Sequence, residues 1–114
     1  MSDFWEAYKD PRWQRKRLEV MEAAGFRCAH CGDASATLNV HHRYYIQGNK
    51  PWEYDDCVFT CLCEPCHEKT TALITKLKMC GGLLSQKQLH VLVSIASVLL
   101  AAESSAPVEV KSDF

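Results

Sequence analysis

The chain has 114 residues and a formal net charge of −1 at pH 7. Hydrophobic residues make up 47% and charged residues 24%, values of an ordinary globular domain that exclude a disordered or collagen-like chain. The charge is uneven, since residues 1–50 carry eight Lys or Arg against six Asp or Glu, and residues 51–114 carry five against eight. Any polyanion would therefore bind to the N-terminal half and the central loop.

The seven cysteines indicate metal binding rather than a disulfide framework. The first residues lack the basic and apolar segments of a secretory signal peptide, so we expect a cytoplasmic protein with reduced thiols. Four of the cysteines have metal-ligand spacing. We expect most of the other three, Cys57, Cys61 and Cys80, to be buried thiols.

The two CxxC motifs predict one structural Zn²⁺. Four thiolates complete a tetrahedral zinc site, and each CxxC turn supplies two of them. We therefore predict a zinc site in which His30 is a bystander, with four ligands: Cys28, Cys31, Cys63 and Cys66.

Three further histidines lie between and after these motifs. His41 and His42 are adjacent, and His67 directly follows the last zinc cysteine. Because the thiolates already complete the zinc site, we expect the histidines to form a second site where chemistry occurs. Neighbouring strand residues point to opposite faces, so His41 and His42 can have separate roles.

Local patterns predict the elements that carry these residues. Asp10 and Pro11 indicate the start of a helix that Gly25 ends. Two strands, 38–42 and 57–62, flank an irregular loop rich in aromatic residues. A third segment, from Pro65 to about residue 79, is predicted to be helical and to stop at the two glycines that follow.

The C-terminal part has a different character. Ser85 and Gln88 match a capping box and predict a helix to about residue 103. That helix is apolar nearly all round, and its 12-residue apolar run from Val91 to Ala102 is too short to span a bilayer. We expect it to pack against a second copy in a homodimer, with an intrachain core as the alternative. The predicted organisation is a domain over 1–80, this helix within 81–103 and a flexible tail over 104–114.

The ordered motifs resemble the HNH (His-Me finger) endonucleases of the zinc-stapled CxxC…HH…CxxCH type. The resemblance covers roughly residues 4–71, and its most specific stretches are Val40-His41-His42-Arg43-Tyr44-Tyr45-Ile46 and Pro51-Trp52-Glu53-Tyr54. It implies an α+β fold, a small ββα-metal core stapled by zinc, with an N-terminal helix and an added apolar C-terminal helix.

The resemblance also implies an activity and its residues. It implies a metal-dependent DNA endonuclease that hydrolyses phosphodiester bonds, from a phage, mobile-element or restriction context. His41 and His67 would bind a catalytic divalent cation (Mg²⁺, Mn²⁺, Ni²⁺ or Zn²⁺), and His42 would be the general base. Imidazole, with a pKa near 6.5, suits proton abstraction at neutral pH.

Basic and aromatic residues of the first helix and the loop are the predicted DNA contacts. A solvated charged face is the alternative interpretation. The predicted contact residues are Arg12, Arg15, Lys16, Arg43, Tyr44 and Lys50.

Two positions depart from the HNH pattern. Some members place a further metal ligand four residues after the helical histidine, where this chain has Thr71, although many zinc-stapled members lack that ligand. The middle asparagine usually lies five residues before the second CxxC motif, where this chain has Val58. In that family the asparagine fixes the loop and the orientation of the base. Glu53, Asp55 or Asp56 could replace it, and we favour Glu53.

Two other classes of protein fit parts of the pattern. The first is a catalytically impaired HNH fold that binds nucleic acid or a protein partner, such as a phage-encoded inhibitor; Val58 and the acidic second half favour it. The second is a purely structural zinc-ribbon interaction domain, which leaves the His41-His42 pair unexplained.

Overall fold

The protein is a small α+β fold, as predicted. The computed structural model describes residues 2–103, so the predicted tail over 104–114 lies outside the described residues. A two-stranded antiparallel sheet is accompanied by four α-helices and one 3₁₀ turn. In chain order the elements are α1 (Ser2–Ala7), α2 (Pro11–Ala23), β1 (Leu38–His42), the 3₁₀ turn (Asp56–Val58), β2 (Phe59–Cys63), α3 (Glu64–Leu83) and α4 (Gln86–Glu103). No helix within 2–103 has both the length and the hydropathy to cross a bilayer.

Helix α2 begins and ends at the predicted residues. The Asp10 carboxylate accepts a hydrogen bond from the backbone N–H of Arg12 at 2.8 Å, and Pro11 occupies the first helical position. Beyond the C-terminal residue, Gly25 has a φ of +70°, the left-handed conformation that glycine adopts without strain. The preceding helix α1 was not predicted, because its six residues give too short a pattern.

Strand β1 pairs with β2 in a register that runs from Leu38 opposite Cys63 to His42 opposite Phe59. Helix α2 packs on this sheet through its buried residues Trp13 and Met21. The core around the sheet also contains five buried residues between the 3₁₀ turn and the end of β2: Val58, Phe59, Cys61, Leu62 and Cys63.

The predicted start of the second strand at Cys57 was wrong. Residues Asp56–Val58 form the 3₁₀ turn instead, closed by a hydrogen bond from the N–H of Val58 to the carbonyl of Asp55 at 3.0 Å. β-branched and aromatic residues suggested an extended chain here, but β2 begins only after the turn, at Phe59.

The predicted end of α3 near residue 79 was also wrong. The helix continues through Gly81 and Gly82 to Leu83. Glycine weakens a helix by only about 1 kcal/mol relative to alanine, so two glycines near the end do not suffice to stop it. Ser85 and Gln88 then form the predicted capping box, with hydrogen bonds of 2.9 and 3.2 Å.

The described chain comprises two compact units, one up to Ala72 and one from Leu73, so the boundary lies inside α3. The first unit contains the sheet and the buried core. In the second unit no described residue is buried.

Leu62→Ala should destabilise the first unit by about 2–5 kcal/mol, because Leu62 is 4% exposed and packs against Cys28 and Cys63. Chemical denaturation with matched zinc loading measures the difference. The control is Leu18→Ala, at a position of the same unit that is 56% exposed, where a change of at most about 0.5 kcal/mol is expected. Equal effects of the two substitutions would contradict the described core.

Candidate metal centre and histidine site

The four predicted zinc cysteines form one cluster. Their sulfur atoms all lie within 4.8 Å of one another, and the Sγ atoms of Cys31 and Cys63 are 3.7 Å apart. Cys28 and Cys63 are buried, while Cys66 is half-buried and Cys31 is exposed. Four thiolates at this spacing can hold a structural metal ion such as zinc.

Backbone hydrogen bonds shape the first cysteine turn. The N–H of Gly32 donates to the carbonyl of Cys28 at 2.9 Å, and Gly32 has a φ of +80°. The N–H of Ala29 donates to the carbonyl of Cys61 at 2.8 Å, which fastens the turn to strand β2. The second pair needs no separate support, because Cys63 ends β2 and Cys66 lies in the first turn of α3.

The thiols of the cluster have pKa values shifted in opposite directions. Burial raises the pKa of the Cys28 thiol, but N–H groups of Cys31, Cys63 and His30 outweigh it and lower that pKa to about 6. A hydrogen bond with Cys63, followed by burial, raises the pKa of Cys66 to about 12. A divalent ion would stabilise the thiolate form at every position.

Of the remaining cysteines, Cys61 is buried, whereas Cys57 and Cys80 are exposed. The expectation of buried thiols was therefore wrong for two of the three. Cys57 precedes buried Val58 in the 3₁₀ turn but points its own side chain to solvent, and Cys80 lies in α3, which has no buried residues.

The structure brings His41 and His67 together. Their ring centroids are 5.2 Å apart with an interplanar angle of 67°, and both side chains are half-buried. Partial burial, followed by electrostatic interaction with His67, His42 and Arg43, lowers the pKa of His41 and favours its neutral imidazole. Such a pair can direct one nitrogen each to a shared ion at about 2.0–2.1 Å.

His42 is held in one orientation by the loop between the strands. Its Nε2 lies 2.8 Å from the carbonyl oxygen of Pro51, and because a carbonyl only accepts, Nε2 carries the proton. Burial lowers the pKa of His42, which the Pro51 hydrogen bond partly offsets, so the ring is neutral with an Nδ1 lone pair.

Aromatic rings surround the imidazole of His42, which is only 4% exposed. Trp13 and Tyr45 stack on it with centroids at 5.1 and 4.9 Å, and Tyr54 and Phe59 meet it edge-on at 5.3 and 5.1 Å. Among the described side chains, the rings in contact with His42 do not include His41 or His67. The stacking of Trp13 on a histidine 29 positions away was not predicted from the sequence.

The loop that presents the Pro51 carbonyl is fixed by its own hydrogen bonds. The Asn49 side chain donates to the carbonyl of Glu53 at 2.8 Å, and the Glu53 carboxylate accepts from the N–H of Lys50 at 3.1 Å. The hydroxyl of Tyr54 accepts from the N–H of Ile46 at 3.0 Å. Asn49 was not predicted from the sequence, because the HNH pattern has no asparagine at this position of the loop.

Two of the three residues predicted to replace the HNH asparagine, Glu53 and Asp56, accept hydrogen bonds. Glu53 closes the loop turn, and Asp56 accepts a short hydrogen bond from Lys16. Val58 itself is 1% exposed, and its carbonyl accepts from the N–H of Arg43 at 2.7 Å. Val58 therefore contributes to the core through its side chain and to the start of the loop through its backbone.

Two of the predicted DNA-contact residues, Arg12 and Lys16, form ion pairs with carboxylates. Arg12 donates twice to the Asp10 carboxylate, at 3.1 and 3.0 Å, and its guanidinium lies 4.4 Å from the centroid of the Trp52 ring. Lys16 is only 20% exposed and pairs with Asp56 as well as with Glu19.

The other four predicted contacts are exposed: Arg15, Arg43, Tyr44 and Lys50. Arg43 donates to the hydroxyl of Thr60 at 2.7 Å. Tyr44 is 52% exposed and meets Tyr54 edge-on. Arg43, Tyr44 and Lys50 lie on the loop, whereas Arg15 lies on α2. DNA binding by these residues stays a prediction.

No protein-family model matches this chain, and searches among curated proteins and solved structures return no match.

Cys31→Ser should lower bound zinc from one ion per chain to well below one and unfold the cysteine turns, because three thiolates and an alcohol bind zinc more weakly. Elemental analysis and circular dichroism measure both effects. Cys80→Ser is the matched control, since Cys80 is exposed and outside the cluster. Full zinc content in Cys31→Ser would disprove the assigned site.

Proposed function

We propose that this protein is a metal-dependent DNA endonuclease of the HNH type, a small phosphodiester hydrolase of phage, mobile-element or restriction systems. The observation that carries the proposal is the pairing of His41 with His67 across β1 and α3, with their rings 5.2 Å apart. His42, next to His41 in β1, supplies a neutral imidazole in a fixed orientation. The cysteine cluster, whose last member Cys66 directly precedes His67, supports the same assignment.

The residues fit the cation that this function requires. His41 and His67 would hold it, and two neutral nitrogens leave open positions for phosphate oxygens and water. A divalent ion bound there neutralises charge on the scissile phosphate and the leaving oxygen. Among the described residues, the four cysteines are the only group of three or more potential ligands, so the second ion would have two protein ligands.

The proposed role of His42 is general-base catalysis. Its Nδ1 accepts a proton from the water whose oxygen attacks phosphorus, while Nε2–H continues to donate to the Pro51 carbonyl. That carbonyl also stabilises the imidazolium that proton transfer creates. The P–O bond to the leaving group breaks, and the leaving oxygen gains a proton from solvent.

We further propose that Asn49 and Glu53 fulfil the loop-fixing function of the missing HNH asparagine. They restrain the turn from position 49 to position 53, which carries the Pro51 carbonyl. Val58, at the position of the family's asparagine, is then compatible with an oriented base.

DNA would contact the loop and the exposed part of α2. Arg15, Arg43 and Lys50 supply exposed positive charge, and Tyr44 supplies an exposed ring for base stacking. Arg12 and Lys16 would have to leave their carboxylate partners to contact phosphate, so we propose a smaller contribution from them.

A catalytically impaired HNH fold that binds nucleic acid or a protein partner is the second candidate. The burial of His42 within its aromatic surroundings favours it, because a general base must reach a water molecule next to the substrate. The separation of the His42 ring from the other two histidine rings favours it as well.

His42→Ala should lower plasmid cleavage by a factor of about 100 or more, the usual contribution of a general base. The assay uses protein that retains one zinc per chain, with added magnesium, manganese or nickel. His30→Ala is the matched control, because His30 is exposed and lies within the first cysteine turn. Inactive wild-type protein with every metal, together with retained binding to a DNA duplex, would favour the second candidate.

Glu53→Gln should preserve cleavage, because glutamine keeps the carbonyl oxygen that accepts from Lys50. Glu53→Ala and Asn49→Ala should each lower kcat by about 10- to 100-fold, since small misplacements of a catalytic group are costly. The ¹⁵N signals of the His42 ring should shift in both alanine variants. Loss of activity in Glu53→Gln would instead indicate that the carboxylate charge takes part directly.

A further inference from the structure

The second unit exposes apolar surface that a folded helix does not normally leave in water. From Leu73 onward, eleven large apolar side chains are each at least 38% exposed, and no described residue of this unit is buried. In α4 the most exposed are Val91, Val93, Ile95, Val98, Leu99 and Leu100. Patches of this extent mark interaction surfaces.

Beyond the capping box of Ser85 and Gln88 at its start, helix α4 has little local stabilisation. It has 18 residues, but the β-branched side chains of Val91, Val93, Ile95 and Val98 lower its intrinsic helix propensity. Helices of this length depend on tertiary packing for most of their stability. The structure shows no extensive packing of α4 on the final turns of α3.

The chemistry of α4 specifies what can cover it. Residues 91–102 contain no charged side chain and no histidine. The hydroxyls of Ser94 and Ser97 donate to the carbonyls of His90 and Val93, both at 2.9 Å, so neither needs a polar group from a partner. A matching surface is therefore apolar and uncharged.

We propose that a second copy of this chain covers this surface, and that α4 folds as the two copies associate. Among the described residues, only the second unit itself offers an uncharged apolar helix of the required length. At on the order of 100 Å² per fully exposed aliphatic side chain, the eleven side chains offer on the order of 650 Å² per copy. A standard interface buries about 800 Å² per partner, so the area is close to what a stable dimer needs.

This proposal is independent of the proposed nuclease activity, because the surface belongs to the second unit. Analytical ultracentrifugation of the zinc-loaded wild-type protein should give a mass of twice 12.9 kDa at tens of micromolar and a fall towards 12.9 kDa on dilution. Helical circular dichroism should fall over the same dilution range, by the signal of up to 18 residues.

Leu99→Glu should raise the dissociation constant at least 100-fold and remove the helical signal of α4, because it places a charge in an apolar interface. One zinc per chain should be retained, which shows that the first unit still folds. Lys87→Glu is the control; it changes charge in the first turn of the same helix and should leave the dimer intact.

Three results would overturn the proposal. The first is a wild-type monomer at all concentrations with a fully helical α4. The second is a Leu99→Glu protein that remains dimeric. The third is a monomer that acquires α4 helicity only on neutral lipid vesicles, which would identify a membrane surface as the partner instead.

Discussion

The structure depends above all on four sulfur atoms, from two turns far apart in sequence, meeting within 4.8 Å. The first turn follows α2, and the second joins β2 to α3, so an ion held by the four thiolates would fix the strand pair relative to the start of the helix that carries His67. Only eight hydrophobic residues are buried among those described, and three of them are cysteines. In a domain this small, metal ligation stabilises what the core alone would not.

Strand β1 gives its two histidines different surroundings. His41 meets His67 of α3, whereas His42 packs among aromatic rings from α2, β2 and the loop. The alternation of a strand is responsible, since successive side chains point to opposite faces. His41 is therefore available to a cation, while aromatic rings restrain His42 on several sides. The two proposed functions differ in whether both histidines act on one substrate.

Sequence could predict the features whose causes are local. A few neighbouring residues determine each of these features: the helix cap at Asp10, the left-handed Gly25, the capping box at Ser85 and the spacing of the cysteines. Features that join distant segments could not be predicted in this way. The Trp13 ring on His42 and the ion pair of Lys16 with Asp56 depend on how α2 packs on the sheet, which no local pattern encodes.

Cys66 and His67 are neighbours in the first turn of α3, so the structural ion and the proposed catalytic ion share one stretch of backbone. Removing the ion from the four thiolates would release the first turn of α3 and, with it, the imidazole of His67. Inhibition by a strong chelator would thus not distinguish the two ions. Only a reagent that removes weakly held metal while sparing the cysteine cluster can separate the contribution of each.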